Sequence, residues 1–412
     1  MHTEDFTQAN EVQQLLGRLR STCEGKQFSD VIDDQGNQYV DLVMEGGGVL
    51  GVALVGYTYV LEEMGLRFLR VGGTSAGSIN ALLVAGLGTP QERKSEKIVK
   101  ELANVDFWSF VDGGTAARAF VQTLVRHPSL LGLSFRGLWV LRSVFKLLGL
   151  NPGEAFYGWL SGLLSGDGVK TTRALRERMM TMPAGLRTRD GKPFAPDPEK
   201  WPLALVAADV STQTKAALPE MAPLYWNDSE RVDPALYVRA SMSIPGFFYP
   251  LRIPNVPQGT EARQRWTDLA NYEGDPPPTA TFVDGGIMSN FPIDLFHVPD
   301  KEPAAPTFGA KLGPDERRST EIDSPQRLGA AVFSSASHTL DYDFIKRNPD
   351  YRKLVAYIDT GKHGWLDFDM TDNDKVDLFV RGASKAAEFL TTFEWDRYKD
   401  IRRLKKELYT QA

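Results

Sequence analysis

From Tyr39 to Gly88 the chain alternates short apolar runs with longer stretches of helical periodicity. The run YVDLVM, Tyr39 to Met44, has the length and composition of a buried strand, and it feeds directly into EGGGVLG. After it, VALVGYTYVLEEMG spaces its apolar residues on a helical repeat and stops at Gly65, which suits a C-cap. RFLRVGG is then a second strand. It runs into TSAGSINALLVAGLG, which opens on hydroxyl residues suited to a helix N-terminus and continues as a helix of small residues. Strand, helix, strand and helix at this spacing predict a βαβα unit on a parallel sheet. Further strands are expected at LALVAADV, TATFVDGG, TFGAKL and KLVAYIDT. The chain closes on a charged amphipathic helix, FLTTFEWDRYKDIRRLKKELY, expected on the outside. KPFAPDPEKWP and EGDPPPTA read as surface loops.

One segment departs from this pattern. Gly113 to Gly153 carries Arg118, Arg126, Arg136, Arg142 and Lys146 and no acidic residue, in a chain whose net charge is −6. Its core, LSFRGLWVLRSVFKLLGL, reads in two ways. As an interfacial helix, Arg136, Arg142 and Lys146 would meet anionic headgroups while Trp139 and the leucines meet lipid. As a helical insertion, the apolar side packs on the core and the arginines stay in water.

Composition narrows the function classes. A chain of 412 residues with 42% hydrophobic and 24% charged content is an ordinary globular protein with one large core or two moderate ones. The acidic balance leaves no domain-wide basic surface, which argues against a nucleic-acid polymer as partner. A single cysteine, Cys23, allows no intramolecular disulfide and no cysteine-based zinc site. The N-terminal MHTEDFTQANEVQQ lacks the basic-then-apolar order of a secretory signal, and no apolar run reaches the roughly 18 to 20 residues that span a bilayer. A cytoplasmic protein that touches a membrane from outside is expected.

Candidate chemistry gathers at the glycine loops. EGGGVLG matches G-x-G-x-x-G through Gly46, Gly48 and Gly51, a pattern that cradles anions with backbone N–H groups. A dinucleotide site would require an acid closing the second strand about 20 residues on. Here that strand closes on RVGGTSAG, which has no acid and contains G-x-S-x-G. Gly73 and Gly77 let the chain turn sharply from strand to helix and present the Ser75 hydroxyl at a helix N-terminus, where negative charge is favoured. The plain alternative is a serine N-cap. Beside such a serine, the N–H groups of Gly47 and Gly48 form a candidate oxyanion hole.

A serine nucleophile needs a base. The five histidines are His2, His127, His297, His338 and His363. The last three fall in the order Ser, Asp, His, but none sits in a recognisable catalytic turn. FVDGGIMSNFP places Asp284 at the end of an apolar strand, with Gly285 and Gly286 turning the backbone after it. Taken in isolation, this is a turn aspartate.

EGGGVLG, GTSAG, RASMSIPGFFYP and FVDGGIMSNFP, in identity, order and strand context, closely resemble the successive blocks of the patatin-like phospholipase family. The resemblance covers about residues 39 to 300, interrupted by the basic insertion; the tail GWLDFDMTDNDKVDLFVRGASKAAEFL is similar to tails of bacterial members. It implies an α/β three-layer sandwich with a mostly parallel central sheet flanked by helices. The organisation that follows is a helical extension over 1–38, a catalytic domain over 39–312 with an insertion or lid at 113–183, and a C-terminal extension over 313–412 packed on the same domain.

The same resemblance implies a calcium-independent lipid acyl hydrolase that needs no cofactor or metal and uses a Ser–Asp dyad without histidine. By position, Ser75 matches the nucleophile, Asp284 the base, and Gly46, Gly47 and Gly48 the oxyanion loop. Leu50 stands where the family commonly has Arg or Lys, so no basic side chain serves the loop there. The implied partners are a phospholipid or other acyl lipid and a peripheral membrane surface, with an activating protein or nucleotide signal left open. The competing readings are a histidine-dependent α/β-hydrolase acting on soluble esters, a silent lipid-binding module, and a nucleotide-binding domain.

Overall fold

The computed structural model describes residues 1–115, 117–118, 147–298, 301–313, 322–323, 331–332, 335, 341 and 343–410. Among the described residues ten strands join in one sheet: β1 (Val31–Ile32), β2 (Gln38–Met44), β3 (Leu66–Thr74), β4 (Arg187–Thr188), β5 (Leu203–Asp209), β6 (Thr214–Leu218), β7 (Leu251–Pro254), β8 (Thr279–Asp284), β9 (Thr307–Leu312) and β10 (Val355–Ile358). The main path runs β10-β9-β2-β3-β5-β8-β7, with β6 beside β5 and β1 bridging β2 and β4.

The sheet is mixed, which corrects the expected mostly parallel one. β10, β9, β2, β3 and β5 run parallel to one another. The pairings β5–β8, β7–β8, β5–β6, β1–β2 and β1–β4 are antiparallel. Apolar runs mark strands but carry no direction, so periodicity cannot reveal the reversal. Its consequence is local. β3 pairs with β5 so that Thr74 faces Val206, and β8 pairs with the same edge of β5 one residue further on, so that Asp284 faces Ala207, while β6 takes the opposite edge. The antiparallel strand thus delivers Asp284 end-on to the tip of β3, so close that a Cβ on the following residue, Gly285, would stand 3.0 Å from the Thr74 side chain.

Helices flank the sheet. Gly51–Glu63 and Ala76–Gly86 follow β2 and β3 as the periodicity predicts, and both are buried nearly all round, as their sustained apolar character requires. The C-terminal segment differs from expectation. It is two helices, Asp372–Thr392 and Trp395–Thr410, separated where Phe393 takes an extended conformation. The first is a core element: Leu378, Phe379, Ala383, Ala386 and Leu390 are buried, and the Phe379 ring meets Phe6 and Tyr59 at 5.4 and 5.6 Å. Phe393 and Trp395, at the break, are buried too. Among the described residues no helix is long and apolar enough to cross a membrane.

Candidate active site

Ser75 alone makes the turn between β3 and the helix Ala76–Gly86. Its φ of 49° and ψ of −117° are conformations an L-residue rarely adopts, a strained strand-to-helix turn of the kind expected of a nucleophile elbow. The strain is held from below. The Ser75 amide donates to Ser241 Oγ at 2.9 Å, and that hydroxyl donates to the Val206 carbonyl at 2.5 Å. Gly77 lets the helix cross the end of β2, because a side chain there would collide with the Met44 carbonyl.

Asp284 ends β8 with its amide donating to the Ser243 carbonyl at 2.8 Å. Oδ1 accepts the Gly286 amide at 2.8 Å. Oδ2 is buried with no hydrogen-bond partner among the described residues. Burial pushes the carboxyl pKa up to about 6, and the nearby Ser75 hydroxyl and the Gly286 amide pull it back only in part. The Ser75 hydroxyl is therefore close enough to be felt by the carboxylate, short of a formed hydrogen bond. An orphaned carboxylate oxygen beside a hydroxyl is a costly arrangement that can accept a proton.

The glycine loop faces the same site and is braced on one side. Glu45, 1% exposed, accepts from Lys311 Nζ at 2.5 Å, the Leu312 amide at 2.6 Å and Asn290 Nδ2 at 3.3 Å. The Gly46 amide donates to the Asn290 carbonyl at 3.0 Å, which removes Gly46 from the expected set of free donors. Gly47 and Gly48 keep amides with no partner among the described residues. Gly48 has a φ of 55°, which its glycine identity permits.

From this point an apolar cavity opens, about 790 Å³ counting its mouth, with Ser75 and Gly48 in its wall. Val55, Leu83, Ile98, Leu102, Phe110 and Phe156 line it, and among the described residues Glu101 is its one ionisable wall residue. Such a cavity accepts a hydrocarbon chain and offers almost nothing to a polar guest.

The patatin-like phospholipase family model matches residues 42–297, more than half of the chain. The chain belongs to this family. The uncharacterized protein YqhO of Bacillus subtilis is 30% identical over 354 residues, covering 85% of this chain and 98% of YqhO. Among solved structures, VipD from Legionella pneumophila is 14% identical with a TM-score of 0.42, covering 89% of this chain and 70% of VipD. The type III effector ExoU is 14% identical with a TM-score of 0.34, covering 90% of this chain, which spans 55% of ExoU. In its complex with SpcU from Pseudomonas aeruginosa the values are 16% and 0.30, with coverage of 86% and 51%.

In this patatin-like chain the described late histidines have partners other than Ser75. His297 Nδ1 lies 2.5 Å from the Tyr351 hydroxyl, and burial, then Arg402 and Lys405, lower its pKa to about 4. His363 Nε2 lies 2.8 Å from Asp377 Oδ2. His2 sits at the start of the first short helix. His127 and His338 lie outside the described residues, as do the expected lid contacts Arg136, Trp139, Arg142 and Lys146. Leu50 is buried beside the glycine loop as an apolar residue.

Several residues of the site carry no motif of their own. Ser241 and Ser243 stand inside RASMSIPGFFYP and Asn290 inside FVDGGIMSNFP, so the blocks contained them without revealing their work. Buried Arg239 donates to Ser243 Oγ at 2.6 Å and to the Pro152 and Tyr249 carbonyls, fixing the loop whose backbone holds Asp284. Buried Asp341 accepts from Ser289 Oγ at 2.6 Å and from the Phe291 amide at 2.5 Å, anchoring the turn that follows Asp284.

Proposed function

We propose that this protein is a serine lipid acyl hydrolase that cleaves fatty-acyl esters of phospholipids through a Ser75–Asp284 dyad. The observation that carries the reading is Ser75 in the wall of an apolar cavity, near the Asp284 carboxyl whose Oδ2 has no hydrogen-bond partner among the described residues. Asp284 takes the Ser75 proton as Oγ attacks the ester carbonyl carbon. The carbonyl oxygen becomes an oxyanion facing the Gly47 and Gly48 amides, each such donor contributing about 2.7 to 4 kcal/mol to the transition state. Collapse expels the lyso-lipid oxygen, which takes the proton from Asp284, and leaves an acyl-serine. Water then gives a proton to Asp284 and its oxygen to the acyl carbon; the fatty acid departs and Ser75 recovers the proton.

A carboxylate of ordinary pKa, about 3.9, is a weak base for a serine. Burial makes Asp284 a stronger one, with a pKa of about 6. No step calls on calcium, another metal or a cofactor. Phospholipid esters are met at a bilayer, so the working enzyme is peripheral to a membrane.

The test incubates wild type, Ser75→Ala and Asp284→Asn with mixed phosphatidylcholine, phosphatidylethanolamine and phosphatidylglycerol vesicles in EDTA, and quantifies free fatty acid by mass spectrometry. The expected result is release by wild type alone, at a rate EDTA does not lower. Undiminished release by Asp284→Asn would remove the dyad, and release by Ser75→Ala would remove the nucleophile.

A further inference from the structure

Residues 360–370 form a strap over the glycine loop, and they lie beyond the 42–297 stretch that the family model matches. The strap is fastened at both ends and internally. His363 Nε2 meets Asp377 Oδ2 at 2.8 Å, the Gly364 amide donates to Asp367 Oδ2 at 2.7 Å, and Thr371 caps the helix Asp372–Thr392 by accepting the Asp374 amide at 3.2 Å. On its inner side the Trp365 carbonyl accepts the Val49 amide at 3.2 Å, and a side chain on Gly48 would run into that same carbonyl. Three residues further on, Phe368 is 8% exposed, stacks on Phe247 at 4.9 Å with the rings 9° from parallel, and forms part of the cavity wall together with Gly48, Ser75 and Phe248.

We infer that Phe368 is a specificity-determining residue, a wall of the acyl channel supplied by the C-terminal strap, which selects among acyl chains by length and bulk. The inference rests on the reading of the cavity as the acyl site. Its physical basis is that an aromatic ring locked by stacking on Phe247 and by a strap tied at both ends cannot swing aside to admit a larger chain. The Trp365 carbonyl couples the same strap to Gly48 and Val49, so the wall and the oxyanion loop keep one register.

The experiment uses the full chain and needs no turnover. A fluorescent fatty acid is bound to wild type, Phe368→Ala, Phe368→Leu and Phe368→Trp, and displaced with saturated fatty acids from octanoate to stearate; melting temperatures are recorded alongside. Phe368→Ala is expected to shift the ratio of long-chain to short-chain affinity about tenfold or more toward long chains, the scale on which hydrophobic pockets separate ligands one methylene apart. Phe368→Trp should shift it the opposite way. Phe368→Leu, which keeps the site apolar, should lie between wild type and alanine and preserves the test should alanine fail to fold. Equal changes at every chain length, or none, would overturn the role of Phe368 while leaving the acyl cavity standing. Failure of wild type to bind any fatty acid would overturn both.

Discussion

Asp284 accepts the Gly286 amide on Oδ1 at 2.8 Å and keeps Oδ2 buried, with no hydrogen-bond partner among the described residues. One oxygen is thereby fixed in place and the other left for a proton. Only the ionised carboxylate can take the proton of Ser75, and burial places its pKa at about 6. The kcat/KM for ester hydrolysis should therefore rise with pH, about tenfold per unit below 6, and level off above it. A pH-rate profile on a soluble p-nitrophenyl ester checks this. A profile flat from pH 5 to 8 would contradict the role of Asp284.

The same burial has a cost in stability. The folded carboxyl binds its proton more tightly than the unfolded one, whose pKa is near 3.8, so this group contributes stability below pH 4 that is lost as pH rises through about 6. At neutral pH the ionised group then costs on the order of 3 kcal/mol. Asp284→Asn should melt several degrees above wild type at pH 8, with the gap closing toward pH 4. Calorimetry at the two pH values reads it directly.

Lys311 and Glu45 form the ion pair that braces the glycine loop, with side chains 17% and 1% exposed. Removing the cation from a carboxylate this deeply buried costs about 3 kcal/mol or more. Lys311→Met should lower the free energy of unfolding by that amount in urea titration. Adding Glu45→Gln should restore part of it, because the two effects belong to one interaction.

The residues that meet at the site were legible where local chemistry marks them. Ser75 was marked by glycines at a strand-to-helix turn; Asp284, a turn aspartate in isolation, was marked only by the company of the family's other blocks, and the fold brings the two near each other. What stayed hidden depends on residues far apart in the chain. The antiparallel direction of β8 appears only in its pairing with β5. The loss of Gly46 as a free donor depends on the Asn290 carbonyl, 244 residues away along the chain. Ser241 beneath Ser75, and Phe368 in the cavity wall, carry no local signature because an ordinary serine and an ordinary phenylalanine do their work by where they are placed. The run from Phe389 to Tyr409 looked like one peripheral helix because its charges are regular, while its break at Phe393 and the burial of Phe389, Phe393, Trp395 and Tyr398 depend on partners that no local pattern names.

The central claim is that Ser75 is a nucleophile activated by Asp284, and a fluorophosphonate probe tests it most directly because the probe reacts with activated serines whatever the lipid substrate. Wild type, Ser75→Ala and Asp284→Asn are labelled over time, and the adduct is located by peptide mass spectrometry. The account predicts a single adduct on Ser75 in wild type, none in Ser75→Ala, and labelling slowed at least a hundredfold in Asp284→Asn, the scale of lost general-base assistance. An adduct on another residue, or wild-type labelling of Ser75 in Asp284→Asn, would contradict it.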